Sequence, residues 1–236
     1  MTMDIAWFLN ERLAFLRVHF DICVSAFEER KRKIEAGEPP FNNPPIDEDG
    51  EPPFLQEWID AQTSIELIGV ACLSLLSDAF KLYLNLLQHD QLHFVFNDDE
   101  KRRLKSEGFV PAYRDALSEI FDTDWQASGI DFAVIEQVVL ARNRGQHGTA
   151  LTSFMLTHDD RTIAKHPRPL FLRADEARAL DTAAVRMGGF LNPLLVVTRE
   201  TLFAAIEEVE KLARWIDANM DRALRWQIEQ RSLKSS

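Results

Sequence analysis

The chain has only two cysteines among its 236 residues. One pair of cysteines is too few for the disulfide framework that stabilises many small secreted proteins. Cys23 and Cys72 both lie in apolar helical patterns. We therefore expect two buried, reduced thiols.

Positive charge is also scarce. Lys and Arg total 27 against 38 Asp and Glu, which gives a net charge of −11. Proteins that bind nucleic acid by general electrostatic attraction gain affinity by displacing counterions with Lys and Arg. The acidic balance argues against that class of protein, but it leaves room for a small basic cleft or a basic partner.

The first residues do not resemble a signal peptide, and the most apolar stretch is interrupted by charges. The first residues, MTMDIAW, have neither the positive stretch nor the apolar core of a signal peptide. The most apolar stretch, residues 65–87, contains Glu66, Asp78 and Lys81, and a membrane span rarely carries such charges. We expect this stretch to be a central helix, buried nearly all round, in a cytoplasmic protein that does not enter a membrane.

Apolar residues recur at three- and four-residue steps along much of the chain, which is the pattern of helices that pack through one face. The predicted helices cover residues 4–36, 54–89, 98–106 and 111–121, and three more begin near the capping residues Asp131, Asp175 and Thr198. Four or five main helices with short connections predict an all-α helical bundle. We expect one domain over residues 1–236.

Two segments interrupt the helical pattern. Residues 37–53 contain six prolines, and this density excludes a helix or a central strand. We predict a long loop within the domain, because the first helix cannot bury its apolar stripe alone. In residues 149–173 short apolar runs alternate with polar clusters, which predicts a small β-hairpin around residues 151–172.

The segment from Arg142 to Gly148, which reads RNRGQHG, follows an apolar helical run. On an ideal helix His147 shares a face with Asn143 and neighbours Arg144, while Arg142 lies about 140° away and reaches towards it with a long side chain. An Arg can hold a phosphate and stabilise the charge that develops on it. A His can take a proton from a 2′-hydroxyl or give one to the leaving oxygen. The segment therefore suits phosphodiester cleavage that needs neither metal nor cofactor.

The pattern Arg142-Asn143-x-x-x-His147, with an apolar helix before it and a glycine after it, resembles the Arg-Asn-x-x-x-His motif of the HEPN superfamily. The resemblance implies an all-helical bundle and, as in many members, a metal-independent endoribonuclease of toxin–antitoxin or antiviral defence systems. It implies that Arg142 and His147 are catalytic and that Asn143, with Arg144 beside it, supports them. It also implies a homodimer that unites two motifs in one RNA-cutting cleft, and a neutralising antitoxin-like partner.

The resemblance covers residues 54–150 and reaches the long apolar helix before the motif. In some members an acidic residue on that helix steadies the motif Arg, and Asp78 or Glu66 would take this role here. One group that pairs with nucleotidyltransferase antitoxins has a Tyr two residues after the His. This position is Thr149, which puts modification by such a partner in doubt.

Alternative interpretations stay open at this stage. The motif would also suit a plain helix end, where His147 and the arginines satisfy carbonyl groups and the helix dipole. The chain would then be a non-catalytic interaction module that docks through its first and last helices. Two weaker candidate sites are the pair His89 and His93, spaced as metal ligands on a helix, and the basic cluster at residues 101–105. Exposed polar helix faces explain both more simply.

Overall fold

The computed structural model describes residues 4–43, 50–146, 154–182 and 192–234, and over these ranges the protein is all-α, as predicted. The described residues form nine α-helices and no β-strand. In chain order the helices are α1 Ile5–Ala36, α2 Leu55–Leu86, α3 Asp98–Ser106, α4 Phe109–Ile120, α5 Phe132–Gln146, α6 Asp160–Lys165, α7 Ala174–Thr182, α8 Arg199–Ala218 and α9 Met220–Lys234.

Several helix ends follow from local sequence signals. Gly37 takes a left-handed conformation (φ 62°) directly after α1, which ends the helix where the sequence predicted it. Asn97 caps α3 in a capping box, since its side chain accepts the backbone N–H of Glu100 while Glu100 accepts that of Asn97. Asp131 caps α5 through the N–H groups of residues 133 and 134, and Thr198 accepts the N–H of Thr201 at the start of α8.

Two helices end differently from the prediction. After Leu86 the helix widens into a π-helical turn, Leu87–Leu92, and stops at His93, which is left-handed at φ 52°. The last predicted helix is interrupted at Asn219, whose side-chain N–H donates to the carbonyl oxygen of Trp215. This side-chain bond satisfies a carbonyl near the end of α8, and α9 begins at the next residue.

The predicted β-hairpin over residues 151–172 does not form in the described part of that range, residues 154–172. Asp159 caps α6 by accepting the N–H of Thr162, so a helical turn stands where the hairpin tip was predicted. The segment 193–196 forms backbone hydrogen bonds with both predicted strands of the hairpin. Leu195 N–H donates to Leu156 O (2.8 Å), and Val196 N–H donates to Phe171 O (3.2 Å). The arms therefore bond to a distant segment, and the only β-type pairing among described residues is the isolated bridge Thr157–Leu194.

The chain divides into two compact units. The first comprises Met1–Ala14, Leu76–Val139 and Phe203–Ser236. Its core combines leucines of α1 with the buried aromatic and aliphatic side chains of α2, α4, α5 and α8, including Leu13, Phe80, Phe121, Ile135 and Ile206. The phenol of Tyr113 donates to Gln88 Oε1 at 2.6 Å, and burial raises the pKa of this phenol to about 12.

The second unit comprises Phe15–Leu75 and Leu140–Leu202. Its buried residues come from α1, α2 and the irregular segments, and include Phe20, Val24, Leu73, Phe171 and Val197. Gly69 lets α2 approach the chain at Val197 closely, because a Cβ at this glycine would lie 2.5 Å from the carbonyl oxygen of Val197. The motif residues that the structure describes belong to this unit.

By length and composition, one helical run of the described chain, Leu55–Leu92, is apolar enough to cross a membrane. In its most apolar window 44% of the residues are buried inside the protein. The core helix of a soluble protein passes the same test, so this finding assigns no compartment. The cytoplasmic location stays a prediction.

Candidate functional site

The carboxyl-terminal part of α5 presents the first residues of the predicted motif. Ala141 is buried, Arg142 is half-buried with its Nε enclosed, and Asn143 is exposed. The guanidinium of Arg142 donates from Nη1 to Oδ1 of Asn143 at 3.3 Å. The exposed amide thus lies against the cation, and the supporting role of Asn143 stays a prediction.

Arg144 contacts its own chain. Its Nε donates to the carbonyl oxygen of Thr157 at 2.7 Å, and its Nη2 lies 3.4 Å from the Thr157 hydroxyl. The role of Arg144 as a support of the motif stays a prediction. Arg144 fastens the end of α5 to the segment that bridges Leu194.

Gly145 allows a close approach of α5 to α2. A Cβ at this position would lie 2.6 Å from Cγ1 of Val70 and 3.9 Å from Cδ1 of Leu156. The described helix continues through Gln146, and the glycine provides space for Val70. The turn that carries Arg142 to Gln146 is held on one side by α2 and on the other by Thr157.

His147, Gly148 and Thr149 lie outside the described residues. The predicted general acid–base, the predicted helix terminator and the position that follows the motif therefore stay predictions. The described part of the candidate site consists of Arg142, Asn143 and the two positions that fix them.

The two acidic candidates on α2 have different surroundings. Glu66 is half-buried and accepts two hydrogen bonds at Oε1, from Arg173 (2.7 Å) and from Gln62 (2.9 Å). The ion pair with Arg173 joins α2 to the segment that follows Phe171, which is a structural role for this carboxylate. Asp78 belongs to the first unit and is exposed on α2 between the exposed Leu75 and Leu82.

His158 is a buried titratable residue that sequence reasoning missed, since it lies in one of the polar clusters between the apolar runs of residues 149–173. It is 3% exposed, and its Nε2–H donates to the carbonyl oxygen of Phe171 at 2.9 Å. Burial lowers the pKa of His158, against the opposing effects of this hydrogen bond and of the Asp159 and Glu176 carboxylates. The neutral imidazole therefore helps to hold His158, and Thr157 next to it, in place against Phe171. No feature of the local sequence distinguishes it from an exposed histidine.

The basic cluster of α3 is largely neutralised within the first unit. Lys101 pairs with Asp98 at 3.3 Å, Arg102 pairs with Asp99 at 2.5 Å, and Arg103 pairs with Asp115. These exposed pairs sit on one small helix and its neighbour, as expected for a solvated amphipathic face. The cluster gives little support to an RNA-binding surface.

His89 lies in the π-helical turn and His93 directly follows it, and the Nδ1–H of His93 donates to the carbonyl oxygen of His89 at 2.6 Å. Within the described part of the chain, no group of three or more His, Cys, Asp or Glu side chains is arranged to hold a metal ion.

A cavity of about 340 Å³ opens beside this turn in the first unit. Apolar side chains such as Phe94 and Ile120 line it together with the polar side chains Glu100, Glu119 and Arg231. The described motif residues do not line this cavity.

Comparisons with known proteins leave the motif without external support. No protein-family model, no curated protein sequence and no solved structure matches this chain. The resemblance to the HEPN superfamily rests on the motif residues and on the all-α fold.

Proposed function

We propose that the protein is a metal-independent endoribonuclease, or an RNase-like toxin or defence protein, of the HEPN type. The observation that carries the proposal is the pair Arg142 and Asn143, joined side by side at the accessible end of a firmly packed helix. The motif places a histidine directly after this described helix. A cation and an imidazole at adjoining positions are the two groups that metal-free RNA cleavage requires.

Each residue has a distinct role in this proposal. Arg142 binds the scissile phosphate and stabilises the charge that grows on it, while Asn143 orients the guanidinium. His147 acts as general base towards the 2′-hydroxyl and as general acid towards the leaving oxygen. Arg144 takes part indirectly, since its guanidinium is committed to Thr157 and positions the helix end.

Partners follow from the same proposal. A second copy of the chain would bring a second motif to the cleft, and RNA would be the substrate. An antitoxin-like partner would restrain the activity in the cytoplasm. The net charge of −11 favours a basic surface on that partner.

Product chemistry tests the mechanism. Cleavage of a structured RNA should persist in excess EDTA, and the upstream fragments should end in 2′,3′-cyclic phosphate, because attack by a 2′-hydroxyl forms that ring. Activity that disappears in the chelator, or products that end in 3′-hydroxyl, would overturn the mechanism. A metal-dependent nuclease run in parallel confirms that the chelator is effective.

A second candidate function is favoured by the outer face of α1. Phe15, Val18 and Ile22 are 65%, 56% and 67% exposed, and their spacing places them on one face of the helix. Exposed apolar side chains grouped in this way are typical of interaction surfaces. In this alternative the protein is a non-catalytic module that binds a second copy through α1, and the motif merely ends a helix.

A substitution on this face of α1 tests whether the chain forms a dimer through it. Ile22→Glu should reduce dimer formation at micromolar concentration in sedimentation-velocity experiments, because it places a charge in an apolar contact. Val95→Glu changes another exposed apolar residue in the same chemical way and should leave the oligomeric state unchanged. A wild-type protein that sediments as a monomer at all concentrations would exclude the α1 contact.

A further inference from the structure

The helices α1 and α2 run antiparallel within the second unit, and two side-chain contacts define their register. Lys31 Nζ donates to Gln62 Oε1 at 2.6 Å, and Trp58 Nε1 donates to Glu35 Oε1 at 2.8 Å. Residue 31 of α1 thus lies opposite residue 62 of α2, and residue 35 lies opposite residue 58. Counting back along α1 from 31 to 23, and forward by the same number of residues along α2 from 62 to 70, places Cys23 opposite residue 70.

Cys72 therefore lies two residues from the level of Cys23, or about 3 Å along the axis at 1.5 Å per residue. Both cysteines lie on packed sides of their helices. Cys23 is half-buried beside the buried Val24, and Cys72 is buried beside the buried Leu73. The sequence predicted two buried thiols, and the structure confirms this for Cys72 and leaves Cys23 partly accessible.

The thiol of Cys72 is affected by its surroundings and by Cys23. Burial, and to a smaller extent the negative charge of a Cys23 thiolate, raise the pKa of the Cys72 thiol to about 11. The repulsion between charges weakens with distance, so this effect is consistent with the helix register, which brings the two cysteines to nearly the same level of the helix pair.

Cys23 also has a proton acceptor beside it. Both ring nitrogens of His19 lie 3.7 Å from its sulfur, one helical turn away, and the ring of Phe15 stacks on the imidazole at 5.6 Å between centroids. An imidazole at this position can take the thiol proton as the sulfur attacks an oxidant, because the thiolate is the reactive form. The pair is therefore asymmetric, with an accessible reactive Cys23 and an enclosed Cys72.

We propose that Cys23 and Cys72 are a redox-responsive pair that an oxidant of the peroxide class converts into a disulfide linking α1 to α2. The Cys23 thiol gives its proton to His19, and the thiolate attacks one peroxide oxygen. The O–O bond breaks, the departing hydroxide takes the proton back from His19 as water, and Cys23 becomes a sulfenic acid.

Cys72 then completes the reaction. Its sulfur attacks the sulfur of the Cys23 sulfenic acid, the S–O bond breaks, and the hydroxide leaves with the Cys72 proton as a second water. Two thiols are oxidised by two electrons, and one peroxide is reduced to two waters. The enclosed position of Cys72 keeps it from external oxidants, so Cys23 reacts first.

Intact-mass measurement of the full chain tests this proposal independently of any RNase activity. The protein is treated with stoichiometric hydrogen peroxide under native conditions and then denatured with an alkylating reagent. The expected product has lost two hydrogens, carries no alkyl group and returns to two alkylatable thiols after reduction. A product that gains oxygen while Cys72 stays alkylatable, a dimer linked through Cys23, or two alkylated thiols would each overturn the proposal.

Single-residue variants test which side chain carries out each step of disulfide formation. Cys72→Ser should accumulate a Cys23 sulfenic acid that dimedone traps, whereas Cys23→Ser should lose the reaction with peroxide. His19→Gln should slow disulfide formation on the order of tenfold without changing the final product. His93→Gln replaces a histidine that has no cysteine partner and should leave the rate unchanged. Equal rates for His19→Gln and the wild type would remove His19 from the mechanism.

Discussion

The Nε of Arg144 donates a 2.7 Å hydrogen bond to the carbonyl oxygen of Thr157, and this bond ties the motif end of α5 to the irregular part of the second unit. Thr157 in turn forms the isolated bridge with Leu194, and the backbone N–H of the next residue, His158, donates to the carbonyl oxygen of Pro193. A single cation therefore connects the candidate site to a segment some fifty residues away in sequence. This contact gives Arg144 a structural role at the end of α5.

Replacing Arg144 by alanine should lower the stability of the fold more than the rate of the proposed RNA cleavage. Hydrogen bonds that involve a charged group contribute about 1.5–3 kcal/mol, and Arg144→Ala should lower the free energy of unfolding by an amount near the lower end, about 1–2 kcal/mol, because the side chain is partly exposed. Urea denaturation measures the change. Gln146→Ala alters an exposed neighbour on the same turn and should have almost no effect. Equal midpoints for Arg144→Ala and the wild type would refute the structural role.

Gly145 should be sensitive to any side chain. Gly145→Ala places a methyl group 2.6 Å from Cγ1 of Val70, and overpacking costs about 1–3 kcal/mol, which outweighs the gain of less than about 1 kcal/mol in helix propensity near a helix end. The double variant Gly145→Ala/Val70→Ala should recover part of the loss, because Val70→Ala removes the clashing atom. Strictly additive free energies in the double-mutant cycle would contradict this contact.

Gly69→Ala should be more damaging than Gly145→Ala. Its methyl group would lie 2.5 Å from the carbonyl oxygen of Val197, and a backbone atom cannot rotate away as a side chain can. We expect a loss of about 3 kcal/mol or more, measured by thermal or urea denaturation. A Gly69→Ala protein as stable as the wild type would show that residue 197 does not approach α2 so closely.

The buried His158 should make the protein less stable in mild acid. Because the folded state keeps the imidazole neutral, the pKa of His158 lies below its ordinary value of 6.5, and the unfolded chain takes up the proton first as the pH falls. The free energy of unfolding should therefore decrease from about pH 7 downwards, until the pH passes the folded-state pKa.

Urea denaturation at about pH 7.5 and about pH 5 measures this dependence. His158→Gln keeps a donor for the Phe171 carbonyl but cannot titrate, so the loss of stability between the two pH values should be smaller than in the wild type. His89→Gln removes an exposed histidine and should reproduce the wild-type dependence. A His158→Gln protein with an unchanged pH dependence would count against a buried neutral imidazole.

The sequence predicts well those elements whose ends carry their own signals. The range of α3 agrees residue for residue, because Asn97 and Glu100 form a local capping box. The end of α1 follows from Gly37, and the start of α5 follows from Asp131. Local hydrogen bonding fixes each of these, so a short window of sequence contains the whole cause.

Where the sequence-based prediction fails or leaves a choice open, the structure depends on residues that are distant in the sequence. The hairpin was predicted from two apolar runs, but segment 193–196 forms bonds with both, and no pattern within residues 151–172 reveals this competitor. For the same reason the sequence left Asp78 and Glu66 both open as partners of the motif Arg, and only the structure shows that Glu66 pairs with Arg173. The residue pattern identified the candidate motif, but the contacts of the residues around it depend on the tertiary structure.

The cleavage rate of the wild type beside His147→Ala, on a structured RNA in EDTA, tests the central claim most directly. A general acid–base group contributes on the order of 10² to 10⁴ in rate, so the proposed function predicts that His147→Ala loses nearly all activity. His89→Ala changes an exposed histidine of the π-helical turn and should cleave at the wild-type rate. Equal cleavage by all three proteins, or none by the wild type, would contradict the proposed nuclease and favour the interaction module.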